Sequence, residues 1–228
     1  MKGKADGRMM VLLMLKRRRN KKTDYRQRLA LLKSGLPRLV VRRSLRYIHV
    51  QVAKSDEKGD KIILEDSSKS LKRYGWLCHT GNIPAAYLTG LLLGLNARRK
   101  GIENLVLDIG LQTSVKGSAL YAVVAGVTDA GIKVPFGKNI VPTEDRISSK
   151  HISAYASKLK EENNEKYRRL FSSYIKAGIE PEKITENFEQ VKNKVIEEFG
   201  VEIKRLKVSV AGNDSSTYGE EELKDGMN

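Results

Sequence analysis

The chain has 228 residues, 31% of them charged and 40% apolar, the signature of a soluble globular protein with room for one substantial core and an appendage. A single cysteine, Cys78, excludes an internal disulfide framework and any multi-cysteine zinc site, and is expected to be a small packing residue in a reducing compartment. The formal charge is +16, and residues 1–50 carry 16 Lys and Arg against only Asp6 and Asp24, so about +14 of it lies in the first fifth of the chain.

Residues 9–15, M-M-V-L-L-M-L, follow Lys2, Lys4 and Arg8 and invite comparison with a signal peptide. Seven apolar residues are the minimum for such a core, K-R-R-R follows in place of a small-residue cleavage site, and seven are far too few to span a bilayer. The segment is expected to form an edge strand or a tail ordered on a partner, in a cytosolic protein.

Residues 16–46 read K-R-R-R-N-K-K-T-D-Y-R-Q-R-L-A-L-L-K-S-G-L-P-R-L-V-V-R-R-S-L-R. Like charge at this density repels itself unless a polyanion neutralises it, and nucleic acid rewards fixed cations with released counterions. A solvated tail or a patch for acidic membranes is the bland alternative. Two details favour nucleic acid. Tyr25 is interleaved with Arg26 and Arg28 and offers a ring to an unpaired base, and Arg, whose planar fork suits phosphates, outnumbers Lys ten to six over residues 1–50.

Thr23 or Asp24 is expected to cap a short helix to about Lys33, stopped by Gly35 and Pro37, with Leu29, Leu32 and Leu36 on one side. Three strands follow: one from Arg38, an alternating one over 46–53 and one over 61–66 after a turn at 54–60. In the second, Ile48, Val50 and Val52 point one way and Tyr47, His49 and Gln51 the other. A short helix or turn over 67–76 precedes a long helix opened by Asn82, with Pro84 in its first turn. Residues 104–110 suit a buried strand, and 117–130 form a second apolar helix ended by Gly131. This order predicts an α/β fold: a mixed β-sheet with packed helices. Three charged amphipathic helices, 151–162, 165–177 and 181–199, form a helical appendage, with Tyr155, Tyr167, Phe171, Tyr174, Phe188 and Phe199 as packing residues. From Gly212 the composition is that of a disordered tail. The resulting division is a basic N-terminal arm with its short helix (1–37), an α/β core (38–142), the appendage (143–200) and a polar tail (201–228).

Catalysis requires converging acids, bases or nucleophiles, and no such set stands out. Asp108 at a strand end and Asp129 in the next helix are more simply caps or ion-pair partners. His49, His79 and His151 lack metal-ligand spacing. Gly117 and Ser118 open a helix, where a tight turn outweighs a phosphate site. Trp76, beside Tyr74 and Arg73, suits base stacking and core packing equally.

The blocks over residues 16–44, with Y-G-W at 74–76, P-A-A-Y-L-T-G-L-L at 84–92, L-D-I-G-L at 107–111, G-S at 117–118, D-A-G at 129–131 and F-S-S-Y-I-K-A-G-I-E-P-E-K at 171–183, resemble the L-eighteen family. These are the large-subunit ribosomal proteins that carry 5S ribosomal RNA, here in their archaeal and eukaryotic form. The resemblance implies a ribonuclease-H-like translational-component core without catalytic activity or cofactor. It also implies binding to 5S rRNA and 23S rRNA in the central protuberance, beside neighbouring large-subunit ribosomal proteins, with no membrane and no small-molecule substrate. By position the RNA contacts fall on Arg17, Arg18, Arg19, Lys21, Lys22, Thr23, Tyr25, Arg26 and Arg28, then on Arg38, Arg42, Arg43, Arg46 and His49. The chain departs from the family pattern at 9–15, at Leu45 in place of Asn, at 112–116, which lacks a Pro-Thr pair, and at Ala125 in place of Lys. The rival readings are a free-standing assembly factor for structured RNA and a ribonuclease-H-like nuclease.

Overall fold

The computed structural model describes residues 16–56, 59–137 and 139–200. The expectations for residues 9–15 and for the tail after residue 200 lie outside them. Helix α1 (Lys16–Arg19) is a single turn, and α2 (Tyr25–Lys33) is capped by Asp24, whose Oδ1 accepts from the backbone N–H of Arg26 at 2.9 Å and of Gln27 at 3.2 Å. Gly35, with φ +67°, takes the left-handed conformation that ends α2 before Pro37.

Strands β1 (Arg38–Arg43), β2 (Ile48–Asp56) and β3 (Gly59–Ser67) form an antiparallel meander, and β4 (Val106–Asp108) lies parallel to β1, giving the order β3-β2-β1-β4. Strands β2 and β3 run further than expected. Lys54 pairs with Lys61, Ser55 with Asp60 and Asp56 with Gly59, so backbone pairing consumes most of the predicted turn. A register shift falls before this stretch, between Val52, which pairs with Leu64, and Ala53, which pairs with Ile62.

The predicted alternation holds: Leu39, Val41, Ile48, Val50 and Val52 are buried, whereas His49 is exposed. The buried face is covered by α3 (Ile83–Arg99), capped by Asn82, and α4 (Ala119–Asp129). Helix α3 carries the chain from β3 at one edge to β4 at the other, since only a long crossover returns a strand parallel to β1. The two helices approach at glycines. A Cβ on Gly90 would strike the backbone of Val123, and one on Gly126 would strike the carbonyl oxygen of Tyr87.

Beyond the core come α5 (Glu144–Ile147), α6 (Lys150–Glu162), α7 (Asn164–Leu170), α8 (Ser172–Lys176) and α9 (Ile184–Phe199). The expected middle helix is split at Phe171, whose ring sits in a small cluster with Ala156, Leu159 and Tyr167. Tyr155, expected to pack, is instead exposed, because the face of α6 turned inward is Ile152, Ala156 and Leu159. Helix α9 belongs to the main core: Ile184, Phe188, Val191, Val195 and Phe199 form one stripe buried with α3. Among the described residues no helix is long and apolar enough to cross a membrane.

Overpacking at a helix contact that only glycine fits costs about 1–3 kcal/mol. Gly90→Ala and Gly126→Ala are each expected to lower the thermal midpoint by roughly 2–4 °C per kcal/mol, with an unchanged far-ultraviolet spectrum, as measured by thermal unfolding. A midpoint equal to the parent's would show that the crossing has slack.

Candidate nucleic-acid interface

The arm is built from backbone bonds that turn its cations outward. Lys22 N–H donates to Arg17 O at 2.9 Å and Lys21 N–H to Arg18 O at 3.0 Å, with Lys21 held at φ +51°. Arg17 Nε donates to Thr23 Oγ1 at 2.8 Å, so Thr23 steers a cation rather than capping α2. Arg17, Arg18, Arg19, Lys21, Lys22 and Arg26 are all exposed, and Tyr25 is half-buried at the start of α2. Helix α2 buries no residue fully, and Leu29 and Leu36 of its predicted apolar side remain exposed. A charge contact ties the helix to the sheet: Arg28 Nη2 lies 2.7 Å from Asp60 Oδ2.

That contact opens a network under the outer face of the sheet. Arg38, only 3% exposed, has Nη2 at 2.7 Å from Asp60 Oδ2 and Nη1 at 2.7 Å from Asp108 Oδ2. The other Asp108 oxygen, Oδ1, accepts from Arg42 Nη2 at 3.0 Å and from the backbone N–H of Gly110 at 2.9 Å. Arg42 Nη1 also donates to the carbonyl oxygens of Asp108 at 2.7 Å and Val41 at 2.8 Å. A Cβ at Gly110 would sit 2.9 Å from Arg42 Cζ, so the glycine leaves room for the guanidinium to lie flat against the loop. Burial works to raise the Asp60 carboxyl, but Arg38 and Arg28 outweigh it and hold that group below its ordinary 3.8.

The network sorts the predicted contacts. Arg38 is on the outer side of β1 but is buried between Asp60 and Asp108. Arg42 and Arg28 are partly exposed but anchored, and Arg43, Arg46 and His49 are exposed. Register pairs Arg42 with His49, and Tyr47 meets the His49 ring edge-on at a centroid distance of 6.5 Å. The outer face therefore offers a fixed guanidinium beside two rings, a surface suited to a nucleotide.

Asp108 is an ion-pair partner, as the sequence suggests, with both carboxylate oxygens engaged by guanidinium groups. Asp129 accepts from Tyr87 Oη at 2.7 Å, and burial pushes its carboxyl up. Among the described residues no three His, Cys, Asp or Glu gather into a metal site. Trp76 is core, donating through Nε1 to His79 O at 3.3 Å, and burial pushes the Cys78 thiol up to about 12, which leaves it inert. Sequence reading missed Asp60, which sits in a stretch assigned to a turn and 32 positions from Arg28. It also missed Gln112, which brackets the backbone of Arg43. An acidic residue beside a basic strand was the only available signal for Asp60.

Removing one partner of a buried ion pair costs about 3–5 kcal/mol, because the other charge is stranded. Asp108→Asn is expected to lose about that much in urea unfolding. Asp60 acts through pH: with its carboxyl lowered in the folded state, its contribution is full above the ordinary value and is lost as pH falls through the lowered one. Asp60→Asn should therefore shrink the difference in urea midpoint between about pH 6 and about pH 3.

Residues 11–104 match the family model described as ribosomal large subunit proteins 60S L5 and 50S L18. The chain is also similar to the large ribosomal subunit protein uL18 of Caldivirga maquilingensis, with 49% identity over 185 residues, covering 81% of this chain and 89% of that protein. The matched segments contain the arm, the network and the outer strands, and on this similarity the chain belongs to the uL18 family of large ribosomal subunit proteins.

Proposed function

We propose that this structural component of the large subunit binds 5S rRNA and helps attach it to 23S rRNA in the central protuberance, by contact and without turnover. One observation carries the reading. Arg18, Arg19, Lys21, Lys22, Arg26, Arg43 and Arg46 are exposed with no carboxylate partner among the described residues, while Asp60, at the sheet edge, and the buried Asp108 are engaged by Arg28, Arg38 and Arg42.

Phosphates are the natural partners of the arm cations, and they fix position. Tyr25, Arg42 and His49 meet bases or the shallow groove of the RNA. Arg28 touches RNA from its anchored position, Thr23 aims Arg17, and Arg38 is left out of the contact set as the buried support for Arg42. The sheet order β3-β2-β1-β4, with β4 returning parallel to β1, supports a ribonuclease-H-like core. The engaged oxygens of Asp108 speak against its use in hydrolysis, which needs carboxylates free to hold metal ions. Helices α6 to α8 face ribosomal RNA or neighbouring ribosomal proteins.

Joint replacement of Arg17, Arg18, Arg19, Lys21 and Lys22 by Ala should flatten the salt dependence of 5S rRNA binding by roughly 0.7–0.9 in the log–log slope per lost phosphate contact. Filter binding across a salt series measures this, and an unchanged slope overturns the role of the arm. Retention on large subunits through a high-salt wash is expected of a constituent, whereas release would point to an assembly factor.

A further inference from the structure

Three loops meet at the end of the sheet beyond Arg42: the β1–β2 hairpin tip (43–47), the segment before α3 (75–82) and the β4–α4 loop (109–118). Bonds between them lock the arrangement. Gln112 clasps the backbone of Arg43, accepting from its N–H at 3.4 Å and donating to its carbonyl at 2.9 Å. Thr80 Oγ1 donates to Arg46 O at 2.6 Å, and a Cβ on Gly81 would lie 3.1 Å from Leu45 O. Within the tip, the N–H and hydroxyl of Ser44 both donate to Tyr47 O at 2.8 Å, and Tyr47 N–H returns a bond to Ser44 Oγ at 3.0 Å.

This rigid frame holds aliphatic side chains in water. Leu45 is 95% exposed, Leu111 58% and Val115 55%. A single exposed leucine needs no explanation. Here, however, the exposed side chains stand on bonded loops with the exposed cations Arg43, Arg46 and Lys116, and none of the three loops contains Asp or Glu, in a chain that has 27 of them.

We propose that this three-loop end is a second RNA-docking surface, built for unpaired nucleotides: Leu45 and Leu111 take the apolar faces of bases or riboses, and Arg43, Arg46 and Lys116 take the adjoining phosphates. The proposal rests on the RNA-binding reading above and extends it from the arm to the sheet end. Unpaired nucleotides alternate a flat apolar face with a phosphate, the same alternation of chemistry as the loops. The end is continuous with the Arg42 and His49 face, since Tyr47 of the hairpin tip meets the His49 ring edge-on. Because the loops are already bonded to one another, little conformational freedom is lost on docking. An amphipathic segment of a neighbouring protein is the other possible occupant, and continuity with the outer face favours RNA.

The test uses the full chain and a 5S rRNA transcript. Leu45→Ser and Leu111→Ser should each weaken binding about three- to tenfold, from the lost apolar burial, with no change in salt slope because no charge is removed. Leu45→Trp adds a reporter, since the single native tryptophan, Trp76, is buried. In free protein the introduced indole should be open to acrylamide quenching, and bound RNA should shield it. Parental affinity in both serine variants with an indole still quenched in the complex overturns the docking surface, while a flattened slope in the arm variant leaves the RNA reading standing. Shielding that requires another ribosomal protein instead of RNA also overturns it. Absence of RNA binding by the unaltered chain overturns both readings.

Discussion

The structure turns on one buried guanidinium. Arg38 lies on the outer side of β1, where a positive charge with no partner would be expelled or would unfold its surroundings. It is held because Asp60 from β3 and Asp108 from β4 reach it at 2.7 Å each, and those carboxylates bring the two edge strands to the same point. Arg28 joins through Asp60, which fixes a helix that buries no residue fully; Arg42 joins through Asp108, which fixes a side chain facing out. Three arginines and two aspartates thus connect the arm helix, both sheet edges and the outer face.

The same network explains how a basic protein keeps its cations available. An exposed arginine in reach of a carboxylate would fold back on it and compete with an incoming phosphate. Here Asp60 and Asp108 are engaged by Arg28, Arg38 and Arg42, so the cations of α1, the following loop and the hairpin keep no carboxylate partner among the described residues. Surface ion pairs would add little stability in exchange, commonly less than about 1 kcal/mol each. Internal pairing of the acids and external freedom of the cations are two sides of one arrangement.

What was legible in the sequence is what local pattern governs. Alternation of Ile48, Val50 and Val52 with Tyr47, His49 and Gln51 predicts both faces of β2, and the Asn82 cap with Pro84 predicts the start of α3. Charge density picks out the arm. Long-range pairing was not legible. Arg38 reads as one more cation in a basic stretch, because nothing local says that residues 22 and 70 positions away bury it. The extension of β2 to Asp56 and the start of β3 at Gly59 were hidden for a related reason: polar turn formers at 54–56 and 59–60 are overruled by backbone pairing with the facing strand. Phe171 splits a helix that its charge pattern predicts as continuous, since the ring is drawn into a tertiary cluster that sequence spacing does not reveal.

The helical segment is less separate than its composition suggests, and its attachment bears on the outer face. Helix α9 lays an apolar stripe against α3, and Asn187 on that helix donates to Gly75 O at 3.0 Å while accepting from Leu77 N–H at 3.4 Å. Tyr174 of α8 accepts from His79 N–H at 3.3 Å. Both contacts fall on the loop before α3, and its next residue, Thr80, holds the carbonyl of Arg46 at the hairpin tip. A continuous path of hydrogen bonds therefore runs from α8 and α9 through residues 75–80 to the basic tip. The tip has few apolar contacts of its own to keep it in place, so its orientation is inherited from elements at the far end of the sequence. The polar helices serve the outer face by fixing the loop that fixes the hairpin.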